Sequence, residues 1–429
     1  MIALLVSLFS ALPTQSQTPL ITPGRLSVLG SSTIYPISEQ AVTAFQSHVL
    51  TIGTPFTATT VTLNDLGSGA GLNALKANSP TADIAASSRS GANSGFYGNN
   101  YPLTDSAITD PQEFLIGYDS IAIVVPATNT WLSQATASQV ADLFRTTGNN
   151  NDIPLYRTWG DWANAQVPPV TLPSGVASQT IGRIGRDFSS GTFDGFNAFF
   201  LNAFGYNMAY NVQTGQTAGI WLPSSYQALN SNGAVMVAMR QQQHQYAIGF
   251  VGLGFVQNDL GPSYPNGIIP LKLYNPTTGT YISPSVANVQ GGFYVTNQAT
   301  PTAIIRPLYY FMDGIPSANS PAAVKSLWIS FIKAHDEYLV NDGFITMNRV
   351  DFAGAPSGNP NSSVGTQTVP DGVVDFNDLV YFANYWIAYY ETGQLNPYLD
   401  ISGSGGLPDG KIDFHDLVAF ANHWIAYYE

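Results

Sequence analysis

The stretch Leu26-Ser-Val-Leu-Gly-Ser-Ser-Thr-Ile-Tyr-Pro36 decides how the rest of the chain is read. Leu26–Leu29 has the composition of a short strand, Gly30-Ser31-Ser32-Thr33 is a turn of small residues, and a helical pattern starts near Tyr35-Pro36. Strand, small-residue turn and helix together open an α/β fold. The unit recurs. Thr60–Leu63 leads into Gly67-Ser-Gly-Ala-Gly71 and a helix predicted over Asn73–Lys76, and Asp83–Ala86 leads into Ser87-Ser88-Arg89. Arg183–Arg186 leads into Ser189-Ser190-Gly191-Thr192 and a helix predicted over Phe193–Phe204. Ser120–Pro126 and Tyr246–Val251 read as buried strands, and Leu308 to Val340 is predicted to be largely helical.

Four of these turns share one chemistry, placing Ser, Thr or Gly just before a helix. The first N–H groups of a helix lack internal partners, and the macrodipole adds partial positive charge there, so such an end can hold an oxyanion. Arg186, four residues before Ser190, can add a bidentate, charge-assisted contact. For any single turn, plain helix capping explains the residues. Several such turns plus one arginine in one α/β chain favour an anion site.

The remaining composition narrows the class. The 429 residues are too many for one compact core and imply two or three folding units. A hydrophobic share of 45% argues against disorder, and only 10% of residues are charged. The net charge of −13 speaks against nucleic-acid partners. Residues from Asp351 onward carry ten acidic groups and one base, a net of −9, so the first 350 carry only −4. That local block points to cation binding in the tail. Cysteine is absent, which removes disulfides and thiolate metal sites. The apolar run Ile2–Leu12 is too short to span a bilayer. It reads either as the core of a signal peptide over residues 1–18, lacking the usual basic start, or as a buried strand.

The loops Gly30-Ser-Ser-Thr-Ile-Tyr-Pro36, Gly67-Ser-Gly-Ala-Gly71, Asp83-Ile-Ala-Ala-Ser-Ser-Arg89 and Arg186-Asp-Phe-Ser-Ser-Gly-Thr192 resemble, in order and spacing, the ligand loops of phosphate-binding proteins of ABC importers. Leu143-Phe144 with Trp159 and Trp162, Ala247-Ile-Gly-Phe-Val251, Arg306-Pro-Leu-Tyr309 and Asp342-Gly-Phe344 resemble further segments of that family. The likeness spans roughly residues 25–345. It implies a two-lobed α/β fold of the periplasmic-binding-protein type over residues 19–350. Lobe one would hold about 25–120 and 290–345, and lobe two about 121–285, with hinge closure on the ligand. By position it implies an anion site built from Ser32, Thr33, the Ile34 amide, Ser68, Ser87, Ser88, Arg89, Arg186, Ser190, Gly191 and Thr192. It further implies phosphate as ligand, the permease of an ABC importer as partner, and an exported protein. Some family members carry an aspartate where this chain has Ser88, and that carboxylate accepts the proton of hydrogen phosphate and turns sulfate away. Its replacement leaves sulfate as the rival ligand. Asp119 and Asp187 are candidate substitutes, each more readily an ordinary loop carboxylate.

The tail is different in kind. After a Gly/Pro/Asn/Ser-rich stretch over 352–368, Pro370–Glu391 and Pro408–Glu429 repeat one 22-residue sequence with five differences, the mark of a duplication. Each copy is an acidic turn followed by an amphipathic helix. The pattern Asp-Gly-x-Ile/Val-Asp-x-x-Asp spaces oxygen ligands as calcium needs them, or else caps the helix. In copy one these are Asp371, Val373 (through its carbonyl), Asp375 and Asp378; in copy two they are Asp409, Lys411 (through its carbonyl), Asp413 and Asp416. The repeats resemble dockerins, whose paired EF-hand-like calcium loops and helices bind a cohesin. The usual loop-start ligands are missing at Gln367, Val369, Gly405 and Leu407; the resemblance assigns their roles to Asp351 in copy one and to Asp400 with Ser402 in copy two. A small all-α, dockerin-like domain is thus expected over residues 351–429, with calcium as cofactor and a cohesin-like surface protein as partner. The stripe Leu379, Phe382, Trp386 and Leu417, Phe420, Trp424 either packs the two repeats together or faces that partner.

An enzyme is not expected. Ser190-Gly191 lacks the G-x-S-x-G elbow, and His48, His244, His335, His415 and His423 have no metal-ligand spacing. Two roles remain: a transport receptor, and a surface-assembly protein that keeps the fold and works through its tail. The sequon Asn361-Ser-Ser363 is consistent with exposure of the linker.

Overall fold

A computed structural model of the chain describes residues 20–56, 59–76, 80–88, 111–148, 153–206, 209–211, 216–218, 222–257, 267–346, 374–403 and 406–428. The expected signal segment, Arg89, Asp351, Asp371 and Val373 lie outside them.

Strand β1 (Arg25–Gly30) buries Leu26 and Val28 and leaves the intervening residues more exposed, as a period of two requires. It ends at Gly30, with φ +146°, where a Cβ would sit 2.1 Å from the Ala86 carbonyl oxygen. Only glycine lets the chain leave the strand so close to its neighbour. Helix α1 (Tyr35–Ile52) follows, with Pro36 in its first turn and Ile37, Ala41, Phe45 and Val49 buried along one face. The pattern repeats through β2 (Thr60–Asn64), α2 (Ser68–Lys76), β3 (Ile84–Ser87) and β4 (Pro111–Asp119). Helix α2 begins at Ser68, five residues before the predicted start, because its four small residues Ser68, Gly69, Ala70 and Gly71 do not carry the apolar period.

The chain then crosses into a second lobe. Its elements are β5 (Ile121–Pro126), β6 (Gln134–Ala135), α3 (Ala137–Phe144), α4 (Trp159–Ala165), β7 (Gly182–Arg186) and α5 (Gly191–Phe196). They continue with β8 (Ala209–Asn211), β9 (Gln216–Ala218), β10 (Tyr226–Leu229), α6 (Asn232–Met239), β11 (Ala247–Gly252) and α7 (Gly254–Gln257). They close with β12 (Ile268–Pro270), β13 (Lys272–Asn275), β14 (Thr280–Ile282) and α8 (Val286–Gln290). The helix predicted over Phe193–Phe204 is three pieces in a row: α5, a π-turn at Asn197–Leu201 and a 3-10 turn at Asn202–Phe204.

The return passes through β15 (Arg306–Asp313) to α9 (Val324–Ala334) and α10 (Asp336–Asn341). Leu308–Asp313 is therefore strand, not the helix expected from its sequence. A short apolar run buried on both faces looks the same in either state, and pairing with β3 and β4 decided it. Residues 286–305, expected to rejoin lobe one from about 290, stay with lobe two: Val289, Tyr294 and Ile304 are buried in its core.

The two main sheets are built alike. Lobe one has the order β2-β1-β3-β15-β4 and lobe two β10-β7-β11-β5-β12. In each, three parallel strands are followed by a fourth that runs against them and a fifth that is antiparallel to the fourth. Each has its own buried cluster. In lobe one Trp328 packs edge-on against Phe45 with ring centroids 5.0 Å apart, and in lobe two Trp131 does so against Trp159 at 4.5 Å. Such ring pairs each contribute roughly 0.5–1.5 kcal/mol beyond the area they bury. Ligands of open α/β sheets bind beyond the carboxyl ends of the parallel strands, and the loops leaving β1, β2, β3, β7 and β10 meet there. Among the described residues no helix is long and apolar enough to cross a membrane.

The repeats supply α11 (Phe376–Thr392) and α12 (Phe414–Tyr428). Phe382 and Phe420 are buried with ring centroids 5.2 Å apart, so the apolar stripes pack the two copies together. The pair is also joined to lobe one. Val374, Phe382, Leu395, Leu399, Ile412 and Phe420 belong to the same buried cluster as Phe45 and Trp328. Tyr398 accepts the Leu115 N–H at 2.6 Å through its hydroxyl, Ser330 Oγ donates to the Pro397 carbonyl at 3.0 Å, and the Lys333 ammonium lies 3.6 Å from the Tyr398 ring centroid. A Cβ on Gly410 (φ +80°) would meet the Phe56 ring at 2.6 Å, so the Asp-Gly turn needs its glycine for contact as well as for conformation.

Candidate functional site

In lobe one, three strand ends converge. Ser31, after β1, donates from its N–H to the Ala86 carbonyl at 2.8 Å and from its hydroxyl to Ser88 Oγ at 3.1 Å. Ser68, at the start of α2, accepts the Ser88 N–H at 3.1 Å, and the two hydroxyls lie 3.3 Å apart. Ser87 is the last residue of β3, opposite Tyr309. The Ile34 amide, expected to reach the ligand, instead donates to the Ser31 carbonyl at 3.1 Å. The tight turn into α1 uses that N–H, and the Ile34 side chain is fully buried.

In lobe two, Arg186 ends β7 and is 1% exposed. Its Nε and Nη2 donate to the carbonyls of Leu229 and Asn230, at 3.1 and 2.8 Å, which fixes the guanidinium plane. Burial lowers its pKa to about 10; Asp187 opposes the drop and the nearby Arg306 charge adds to it. The group stays protonated at neutral pH. Ser190 caps α5 by accepting the Thr192 N–H at 3.1 Å. Asp187 accepts both the N–H and the hydroxyl of Ser189, so it serves the loop rather than the cleft.

The lobes touch across the cleft. Arg186 Nη1 donates to Ser32 Oγ at 2.7 Å. The hydroxyls of Thr33 and Thr192 lie 3.2 Å apart, and the Gly69 N–H donates to the Ser189 carbonyl at 3.3 Å. A Cβ on Gly191 would fall 2.2 Å from Ser88 Oγ, so a glycine is required for this approach. The structure therefore brings Ser32, Thr33, Ser68, Ser88, Arg186, Ser190, Gly191 and Thr192 together from four loops.

Three residues here were not expected as site residues. Ser31 ties the first loop to Ser88, and Asn232, at the start of α6, donates from Nδ2 to Thr33 Oγ1 at 3.2 Å and to Thr192 Oγ1 at 3.3 Å. Arg306, at the crossover into β15, donates from Nη2 to the same two oxygens at 3.3 and 3.1 Å and pairs with Asp119. Asp119, weighed as a proton acceptor for the ligand, is thus held by Arg306 and by the Leu253 N–H at 3.0 Å. The sequence signals for Arg306 were its place in the family-like segment Arg306-Pro-Leu-Tyr309 and a charge heading an apolar run; Asn232 had none.

In the tail, Asp400 and Asp416 are fully buried at the two ends of the second acidic loop. Asp400 accepts the N–H groups of Asp409 and Gly410, each at 3.0 Å. Asp416 accepts those of Ile401, Ser402 and Asp413, at 2.8, 3.0 and 2.7 Å. Asp413 accepts the His415 N–H at 2.8 Å, and Lys411 is exposed, its N–H donating to Asp409 at 3.2 Å. Burial, with Asp416 and Asp409 beside it, pushes Asp400 well above the usual carboxylate range; burial pushes Asp416 to about 7. In copy one, Asp375 and Asp378 form a capping box at the start of α11. Among the described residues no three histidine or acidic side chains stand close enough together to hold a metal ion as they are.

A family model described as a PBP superfamily domain matches residues 14–322. Among solved structures, an ABC-type phosphate transport receptor from Vibrio cholerae is 18% identical, with 75% of this chain and 99% of that chain covered and a TM-score of 0.46. The protein PstS from Borrelia burgdorferi is 18% identical, covering 75% and 98%, at 0.40. A phosphate-binding protein from Stenotrophomonas maltophilia is 14% identical, covering 75% and 90%, at 0.45. No curated protein sequence matches the chain.

Proposed function

The chain belongs to the PBP superfamily, and from that premise we propose that it is an exported receptor, not an enzyme, that captures phosphate between its lobes and hands it to the permease of an ABC importer. The observation that carries this reading is Arg186: a fully buried guanidinium with two nitrogens fixed on carbonyls and the third reaching across the cleft to Ser32. A buried cation ringed by hydroxyls and helix-start amides is the chemistry an oxyanion needs. The names of the similar structures point to phosphate as the oxyanion. Sulfate is the second reading, favoured by Ser88, which offers a hydroxyl where a carboxylate would reject it. Calorimetry on the full chain with phosphate, then sulfate, tests both. Tight phosphate binding that Arg186→Ala abolishes is the expected result; tighter sulfate binding replaces phosphate by sulfate, and no heat with either anion removes the receptor role and leaves surface assembly.

The same proposal gives the tail a calcium-dependent, dockerin-like role, with a cohesin-like surface protein as partner. Its support is the second loop, where the carboxylates of Asp400, Asp409, Asp413 and Asp416 with Ser402 and the Lys411 carbonyl are the hard oxygen donors calcium takes, and where two buried, mutually repelling carboxylates lie at the loop ends. Calcium would supply the positive charge that offsets this repulsion. Copy one would use Asp375 and Asp378 with Asp351, Asp371 and the Val373 carbonyl.

A further inference from the structure

Thr33 comes from lobe one, Thr192 from lobe two, and both are no more than 1% exposed. Each hydroxyl oxygen has two lone pairs and one proton. Asn232 Nδ2 donates one of its protons to each oxygen, at 3.2 and 3.3 Å. The amide cannot be turned the other way without loss, because its Oδ1 accepts the Gly252 N–H at 3.4 Å. Arg306 Nη2 has two protons; one serves Asp119 and the other is shared between the same two threonine oxygens, at 3.3 and 3.1 Å. The lone pairs of both hydroxyls are thereby filled. Neither threonine oxygen is then left to accept from a ligand; the two hydroxyls lie 3.2 Å apart, and a proton not spent between them must point away from Asn232 and Arg306. Two more nitrogens of Arg306, Nε and Nη1, are buried with no hydrogen-bond partner, so this corner of the cleft holds donors in surplus.

We propose that Asn232 and Arg306 are positioning residues of the anion site, which hold Thr33 and Thr192 as pure donors and so make the cleft select the less protonated form of a tetrahedral oxyanion. This rests on the receptor reading above and names the protonation state that the site takes. A P–OH group brought against those hydroxyls finds a donor where it needs an acceptor, and a buried donor facing a donor costs about tenfold or more in affinity. With dihydrogen phosphate two protons must be placed, with hydrogen phosphate one, and with sulfate none.

The test is calorimetry on the full chain with phosphate and with sulfate at pH 6 and pH 8, for the wild type, Asn232→Ala and Arg306→Lys. The expected wild-type result is phosphate affinity at least about tenfold higher at pH 8 than at pH 6, with sulfate affinity the same at both. Asn232→Ala frees one lone pair on each threonine, so it binds both anions more weakly and shrinks the pH ratio for phosphate to about twofold. A purely structural residue would weaken binding without moving that ratio. Arg306→Lys keeps the charge beside Asp119 but not the shared donor, and should shift the ratio the same way; if it does not fold, Asn232→Ala decides alone. Wild-type phosphate affinity independent of pH, or an unchanged ratio in Asn232→Ala, overturns the proposal while leaving the receptor reading in place. Absence of binding by the wild type to either anion overturns both.

Discussion

Arg186 of lobe two donates to Ser32 of lobe one at 2.7 Å, a charge-assisted hydrogen bond between residues 154 positions apart that spans the cleft. A closed two-lobed receptor holds its anion with the groups that hold the lobes together, so the same residues set affinity and closure.

Arg186→Ala should lower oxyanion affinity at least about 100-fold, since it removes a buried charge that the ligand would otherwise meet. Arg186→Lys should recover only part of this, because an ammonium cannot donate to the Leu229 and Asn230 carbonyls and to the cleft in one plane. Titration calorimetry of both variants checks it. An Arg186→Ala protein that binds as the wild type does would remove this residue from the site.

Gly191→Ala should leave both lobes folded and stop them closing. The added methyl would sit 2.2 Å from Ser88 Oγ and 2.6 Å from the Ser88 carbonyl oxygen. Small-angle scattering should show a larger radius of gyration than for the wild type in saturating anion, with the unfolding temperature little changed. Wild-type compaction on adding anion would count against the contact.

Asp119→Ala should destabilise the protein by roughly 3–5 kcal/mol, the cost of leaving a buried Arg306 without its carboxylate. The pair joins the first crossover to the second, so both lobes should loosen in one transition. Urea unfolding measures the loss, and the double variant Asp119→Ala, Arg306→Ala should lose less than the sum of the two single changes.

Tyr398→Phe should destabilise lobe one, although the residue belongs to the tail. It leaves the buried Leu115 N–H without the hydroxyl that accepts it, at a cost of about 1–3 kcal/mol. Unfolding followed through the lobe-one transition tests whether repeats and lobe share one core; no change there would separate them.

Removal of calcium by a chelator should lower the unfolding temperature of the full chain, and Asp400→Ala should abolish that response. Asp400 and Asp416 lie in one loop packed against lobe one, so the loss should be read by the receptor domain and not by the tail alone. A chelator-insensitive transition would end the calcium reading.

Much of the architecture was legible in the residues. The recurring strand, small-residue turn and helix, seen first at Leu26–Pro36, fixed an α/β class because each turn obeys local chemistry that a short window contains. The Arg186-to-Thr192 loop showed its donors for the same reason, and the repeat at Pro370 and Pro408 was plain as identity. What the sequence could not show lies at long range. The run Leu308–Asp313 became strand because β3 and β4 offered it partners, and residues 286–305 stayed in lobe two because Tyr294 and Ile304 fill that core. Ile34 lost its expected role because its own turn used the amide.

The sequence by itself determined the α/β class, the hydroxyl-rich loops and the duplicated acidic tail, because these follow from local patterning and spacing, while the two lobes were implied by the family resemblance. Only the tertiary structure decided that Asn232 and Arg306 share the oxygens of Thr33 and Thr192, that Asp119 is held rather than offered to the ligand, and that the tail packs into the core of lobe one. Each is a meeting of side chains from loops scores of residues apart. Such a meeting is set by sheet order and burial, which no stretch of sequence contains.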